Sequence, residues 1–96
     1  MFMRKYTGTY TVVNKKVVEN DDLKTITLMV ENELVYICSD SATLKWLYYS
    51  SKDQTYWLLS HEGREDRYGS EIKVLTEIDV TTAMRFKAEC QAKKNV

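Results

Sequence analysis

The sequence predicts an α+β fold: a six-stranded, mostly antiparallel meander sheet with one C-terminal helix packed on a face. Three observations lead there. Apolar and polar residues alternate with a period of two over much of residues 4–75, polar turns separate the alternating runs, and the period becomes helical after Thr76. A chain of 96 residues has room for one domain, 1–96, with strands over 4–75 and the helix over 77–93.

In "KYTGTYTVV", Tyr6, Gly8, Tyr10 and Val12 alternate with Thr7, Thr9 and Thr11, the pattern of a first strand. The polar run from Glu19 to Asp22 ends it. "LKTITLMV" then sets Ile26, Leu28 and Val30 against Thr25, Thr27 and Met29, a second strand with its threonines toward water. Asn32 tolerates a positive φ, so a tight turn leads from there into "LVYIC", and the second and third strands are expected to form a hairpin.

The next run, "LKWLYYSSKDQTYWLLS" from Leu44 to Ser60, holds both tryptophans and three of the seven tyrosines. With "SKDQ" as a four-residue turn, Ser50 faces Thr55, Tyr49 faces Tyr56, Tyr48 faces Trp57, Leu47 faces Leu58 and Trp46 faces Leu59. One face of this hairpin then carries Trp46, Tyr48, Trp57 and Leu59, and the other Leu47, Tyr49, Tyr56 and Leu58. Both faces are apolar. A hairpin with one wet face would be polar on that side, so this one belongs at the sheet centre, with the helix over one face. The other face, Leu47, Tyr49, Tyr56 and Leu58, needs a cover from sheet curvature, a second copy of the chain or a protein partner.

After it come a charged, glycine-bearing loop, "HEGREDRYGS", and a short strand, "EIKVL". The closing "TEIDVTTAMRFKAECQAKK" places Val80, Ala83, Met84, Phe86 and Cys90 on one side of a helix. Thr76 is its expected cap, with Glu77 and Asp79 at the positive end of the helix dipole and Lys93 and Lys94 at the negative end. Lys87 falls inside the apolar stripe, which means that its stem lies along the core or that the helix docks shallowly.

Hydrophobic residues make up 44% and charged residues 29% of the chain, the balance of a globular domain rather than a disordered one. The apolar runs are too short to span a bilayer and no apolar block marks a signal peptide, so the expected location is cytoplasmic, with no membrane partner. Cys38 and Cys90 then read as free, buried thiols. The formal net charge is zero, but its distribution is uneven. Arg4, Lys5, Lys15 and Lys16 meet no acid before Val17, while six acids face only Lys24 between Val17 and Asp40. Arg85, Lys87, Lys93 and Lys94 outweigh Glu89 in the tail. If the first strand and the tail lie together, Arg4, Lys5, Lys15, Lys16, Lys93 and Lys94 form a basic side able to contact nucleic acid, with sheet tyrosines stacking on bases.

No motif assigns a catalytic residue, a metal site or a cofactor. His61 is the sole histidine, and a thiol and base pair with Cys38, oriented by Asp40, lacks a nucleophile turn. His61, Glu62, Glu65 and Asp66 match no zinc or calcium spacing, and Arg64 and Arg67 oppose a cation there. Asp66, Glu71 and Lys73 suggest the acid, acid and lysine set of a small Mg²⁺-dependent nuclease. That set is weak, because an acid two places before a lysine arises by chance in a chain with 14 acids.

"LYYSSKDQTYWLL", a glycine-bearing loop and "EIKVLTE" leading into a helix resemble a type of small uncharacterised bacterial protein over Leu47 to Met84. The resemblance implies a hairpin, strand and helix in that order and implies no activity. The leading expectation is a non-catalytic accessory protein, of the kind that inhibits or regulates in bacteria or phage, acting through protein contact and as a homodimer. The alternatives are a nucleic-acid-binding module and the small nuclease.

Overall fold

The computed structural model describes residues 3–13, 16–19, 34–69 and 71–94. The expected second strand and its Asn32 turn lie outside the described residues. The described elements are β1 (Lys5–Gly8), β2 (Tyr10–Val13), β3 (Lys16–Glu19), β4 (Leu34–Asp40), β5 (Lys45–Ser50), β6 (Thr55–Glu65), β7 (Glu71–Ile78) and α1 (Val80–Lys94). The class is α+β, as the periodicities predict.

The sheet differs from the expected six-stranded one. Among the described residues it has five strands in the order β1-β7-β6-β5-β4, every neighbouring pair antiparallel. Strands β4 to β7 form the expected meander, and β1 adds to it beside β7, pairing Tyr6 with Leu75 and Gly8 with Lys73. The run read as one first strand breaks at Thr9. Beyond it, β2 and β3 pair with each other as a separate two-stranded sheet. The break is driven by burial: folding back over the main sheet puts Tyr10 at 1% and Val17 at 3% exposure against Tyr48, Trp57, Leu59 and Leu75. Each such side chain removed from water contributes about 1.5–3 kcal/mol, more than an exposed continuation of β1 could gain.

The central hairpin has the register its alternation dictates, with Ser50 opposite Thr55, Tyr49 opposite Tyr56, Tyr48 opposite Trp57, Leu47 opposite Leu58 and Trp46 opposite Leu59. Its four-residue turn ends at Gln54 with φ 56°, so the left-handed position falls on glutamine instead of glycine. Trp57, Tyr48 and Leu59 are fully buried under β2 and β3, and Leu47, also at 0%, lies under α1 with Ala83 and Cys90. The molecule is therefore layered as helix, five-stranded sheet and two-stranded sheet.

Tyr48 sits edge-on to Tyr36, ring centroids 5.9 Å apart, and its hydroxyl finds no hydrogen-bond partner among the described residues. Burial pushes its ionisation well above the ordinary phenol range. A buried, unsatisfied hydroxyl costs about 1–3 kcal/mol. Tyr48→Phe is accordingly expected to stabilise the fold by about 1 kcal/mol, read as a higher midpoint in urea unfolding.

The helix starts later than its expected range of 77–93. Thr76 and Glu77 belong to β7, because Thr76 pairs with Lys5 and the Glu77 N–H donates to the Arg4 carbonyl at 2.7 Å. Asp79 is the cap instead: its Oδ1 accepts from the Thr82 N–H at 2.7 Å and its carbonyl from the Ala83 N–H at 3.0 Å. Of the expected stripe, Ala83 and Cys90 are buried and Phe86 is half-buried, whereas Val80 is 57% and Met84 39% exposed. With Lys87 also exposed, the helix is shallowly docked.

Candidate functional site

The alternation along β5 and β6 places Leu47, Tyr49, Tyr56 and Leu58 on the helix side of the sheet, and the structure divides this set. Leu47 is buried at 0% beneath Ala83 and Cys90, so it is covered by the chain itself. Leu58 and Tyr56 are half-buried and pack against that same cluster. Tyr49 is half-buried and faces Tyr56, ring centroids 5.0 Å apart and planes tilted by 53°.

Across β4 the partner of Tyr49 is Val35, which is 51% exposed. The register therefore lines up Val35, Tyr49, Tyr56 and Ile78 in one row across four strands. The next row, Cys38, Leu47 and Leu58, is the one that α1 covers. The open part of the face is thus an uncharged row of one valine and two tyrosines beside the helix. Alternation within "LVYIC" does not single out Val35; only its pairing with "LYYS" sets it opposite Tyr49.

A second feature lies on the other face. At the far end of β6 the register slips: His61 faces Lys73 and Glu65 faces Glu71, so four steps along β6 match two along β7. Gly63, with φ 90°, supplies the backbone turn that this bulge requires. The expected loop starts only at Asp66, whose Oδ1 accepts from the Tyr68 N–H at 2.8 Å to shape the turn. The bulge opens a shallow cleft of ≈ 210 Å³ lined by His61, Gly63, Arg64, Glu65 and Glu71.

In that cleft His61 Nδ1 is 3.3 Å from Glu71 Oε2, and the same oxygen is 3.6 Å from Lys73 Nζ. Trp46 leans on the imidazole, centroids 5.8 Å apart. Glu71 and Lys73 of the nuclease reading therefore meet, while Asp66 serves its turn. Among the described residues no group of three or more His, Cys, Asp or Glu side chains could hold a metal ion. The thiol and base pair is ruled out by the pleat: Cys38 packs on the helix face, and His61 lies with Trp46 on the opposite one. Lys73, at 7% exposure, is committed elsewhere, donating from Nζ to the Tyr10 carbonyl at 2.7 Å.

Of the cations proposed for nucleic acid, the described Arg4 and Lys93 lie apart. Arg4 lies before β1 at one edge, where Nε donates to Glu77 Oε1 at 2.8 Å and Nη2 to Asp53 Oδ2 at 3.2 Å, with the guanidinium 4.8 Å from the Trp57 ring centroid. The Glu77 carboxylate, first among its neighbours, raises the Arg4 pKa. Lys93 lies over β4, at the other end of the described strand order, its Nζ 2.6 Å from Asp40 Oδ2. Four strand spacings, about 19 Å, separate β1 from β4. Lys5 is exposed on β1, and Lys15 and the side chains of Lys16 and Lys94 lie outside the described residues.

The Lys93 ammonium, helped by Thr43 and by the Ala42 N–H, holds the Asp40 carboxyl down at about 2. A carboxyl whose pKa falls on folding adds stability that is present above its unfolded value near 4 and is lost as pH falls toward 2. Wild type is expected to melt above Asp40→Asn at pH 7, the two melting curves converging between about pH 4 and about pH 2. Calorimetry across that range checks it.

A scan against protein-family models finds no match, and neither a search of curated proteins nor one of solved structures finds any. The functional reading rests on the residues themselves.

Proposed function

We propose that the chain is a non-catalytic binding protein that works by protein contact through Val35, Tyr49 and Tyr56, and that the occupant of this row is a second copy of the chain. One observation supports the reading above others: Val35, half exposed at 51%, continues the half-buried Tyr49 and Tyr56 pair just outside the cover of α1. Such a row suits a two-fold contact. It bears no charge that would repel its own image, and tyrosine hydroxyls both donate and accept, so identical patches satisfy one another. Tyrosines are also enriched at the centres of protein interfaces.

Light scattering on a size-exclusion column tests the proposal. Wild type is expected to elute as a dimer at tens of micromolar, and Val35→Glu as a monomer with unchanged circular dichroism. A wild-type monomer at every concentration that binds no hydrophobic dye defeats the reading.

A further inference from the structure

We propose that His61 is a pH-sensitive latch, whose charging loosens the β2 and β3 layer from the main sheet. This stands apart from the proposed function, since His61 lies with Trp46 on the face opposite the Val35, Tyr49 and Tyr56 row. His61 on β6 faces Lys73 on β7 directly across the strand pair, so the two side chains leave the same face with their Cβ atoms about 5 Å apart. Lys73, at 7% exposure, runs on into the seam, where its Nζ donates to the Tyr10 carbonyl at 2.7 Å and ties β2 to β7. Glu71 Oε2 serves both nitrogens, 3.3 Å from His61 Nδ1 and 3.6 Å from Lys73 Nζ. With the imidazole neutral, that carboxylate is left to the ammonium. With the imidazole charged, it is shared, and two cations face each other across the strands.

His61 and Glu71 both belong to the main sheet, so their attraction persists whether the β2 and β3 layer is seated or lifted. The repulsion between His61 and Lys73 does not. Lifting the layer lets the long Lys73 stem carry its ammonium out to water, where like charges interact far less than in the seam. The lifted form therefore takes up the His61 proton more readily than the seated one, and by linkage acid favours lifting. Protons reach the ring directly, because the His61 side chain is 20% exposed at the cleft.

The groups around the ring come from every strand packed on it. Glu71 and Lys73 belong to β7, and β1 sets only Gly8 beside Lys73. Along β6 itself, Arg64 and Glu65 line the same cleft, with Arg64 Nε 3.2 Å from Glu62 Oε2. From β5 the neighbour is the uncharged Trp46, while Lys45 points to the other face of the sheet. The Lys16 and Glu19 side chains of β3 lie outside the described residues. Carboxylates, ammoniums and guanidiniums keep their ordinary charge between about pH 5.5 and about pH 7.5, whereas an imidazole gains one across that range. The layer covers Tyr48, Trp57 and Leu59, so lifting it bares an apolar face that is closed at neutral pH.

Hydrogen exchange read by NMR on the purified folded chain, corrected for the intrinsic pH dependence of exchange, tests the latch between about pH 7.5 and about pH 5.5. Protection of the β2 amides is expected to fall about tenfold in acid while that of β5 and β6 holds. His61→Gln, which keeps a polar side chain without charge, and Lys73→Met, which removes the facing ammonium, are each expected to abolish the fall. Unchanged β2 protection in wild type, a fall shared equally by β5 and β6, or a fall that survives in either variant would each overturn the latch. Because His61 is the sole histidine, the wild-type profile decides it even where a variant folds poorly.

Discussion

Trp57→Ala is expected to remove about 3–5 kcal/mol of folding stability. Trp57 is fully buried in the middle of the sheet, paired with Tyr48 on one side and Glu77 on the other. Tyr6 stacks on its ring at 5.9 Å with planes 22° apart, and its Nε1 donates to Thr55 Oγ1 at 2.9 Å. The Arg4 guanidinium rests on it as well, adding little because Arg4 is 40% exposed. Truncation leaves a void bounded by two packed layers that cannot both collapse into it. Domains of this kind hold about 5–15 kcal/mol in all, so the variant keeps a fraction of its stability and melts roughly 15–30 °C lower. Trp57→Phe retains most of the buried area and is expected to cost less than half as much. Urea unfolding of the three proteins measures this, and an alanine variant within 1 kcal/mol of wild type would show that the layers close over the gap.

The surroundings of Trp57 show which parts of the architecture the sequence made legible. The register from Trp46 to Leu59 follows from alternation on both sides of one short turn, so local information was enough, and all five expected pairs occur. The cover over Trp57 was not legible. "KYTGTYTVV" alternates without a break, and nothing local says that the chain leaves the sheet at Thr9, because burial of Tyr10 becomes available only once β6 and β7 exist. The placing of β1 beside β7, some seventy residues away in sequence, is non-local in the same way. The helix start erred for a related reason: Thr76 and Asp79 are both good caps, and the choice between them was made by β1, which pairs with Thr76 and whose neighbour Arg4 holds Glu77.

The candidate site was legible to the same extent. Periodicity placed Tyr49, Tyr56, Leu47 and Leu58 on one face, and the register has them there. Which of the four stays open depends on where α1 crosses, and that is fixed by Ala83, Cys90 and the Lys93 to Asp40 contact rather than by any pattern in β5 or β6. Charge along the chain puts Arg4 and Lys93 in two basic segments, but it carries no strand order, and the described order sets them at opposite ends of the sheet beside carboxylates.

Lys73 gives the second large effect and the clearest test of how the two sheets are joined. Its side chain leaves β7, runs through the buried seam and donates at 2.7 Å to the carbonyl of Tyr10 on β2, with Glu71 at 3.6 Å as its nearest acid. Two opposing contributions meet here. Burying an ammonium has a desolvation cost, which an acid 56% exposed to water offsets weakly. Against that, a hydrogen bond from a charged donor contributes about 1.5–3 kcal/mol, and the methylene stem adds about 0.8 kcal/mol for each buried carbon. Lys73→Met keeps most of the stem and drops only the ammonium, so its expected cost is about 1–2 kcal/mol. Lys73→Ala loses both and is expected to cost about 4 kcal/mol. A methionine variant more stable than wild type would mean that the desolvation cost wins and that packing alone joins the layers. Hydrogen exchange separates the two accounts further. If the ammonium pins the β2 and β3 layer to the main sheet, amides of β2 will exchange faster in Lys73→Met while those of β5 and β6 keep their protection, because the seam opens before the sheet does.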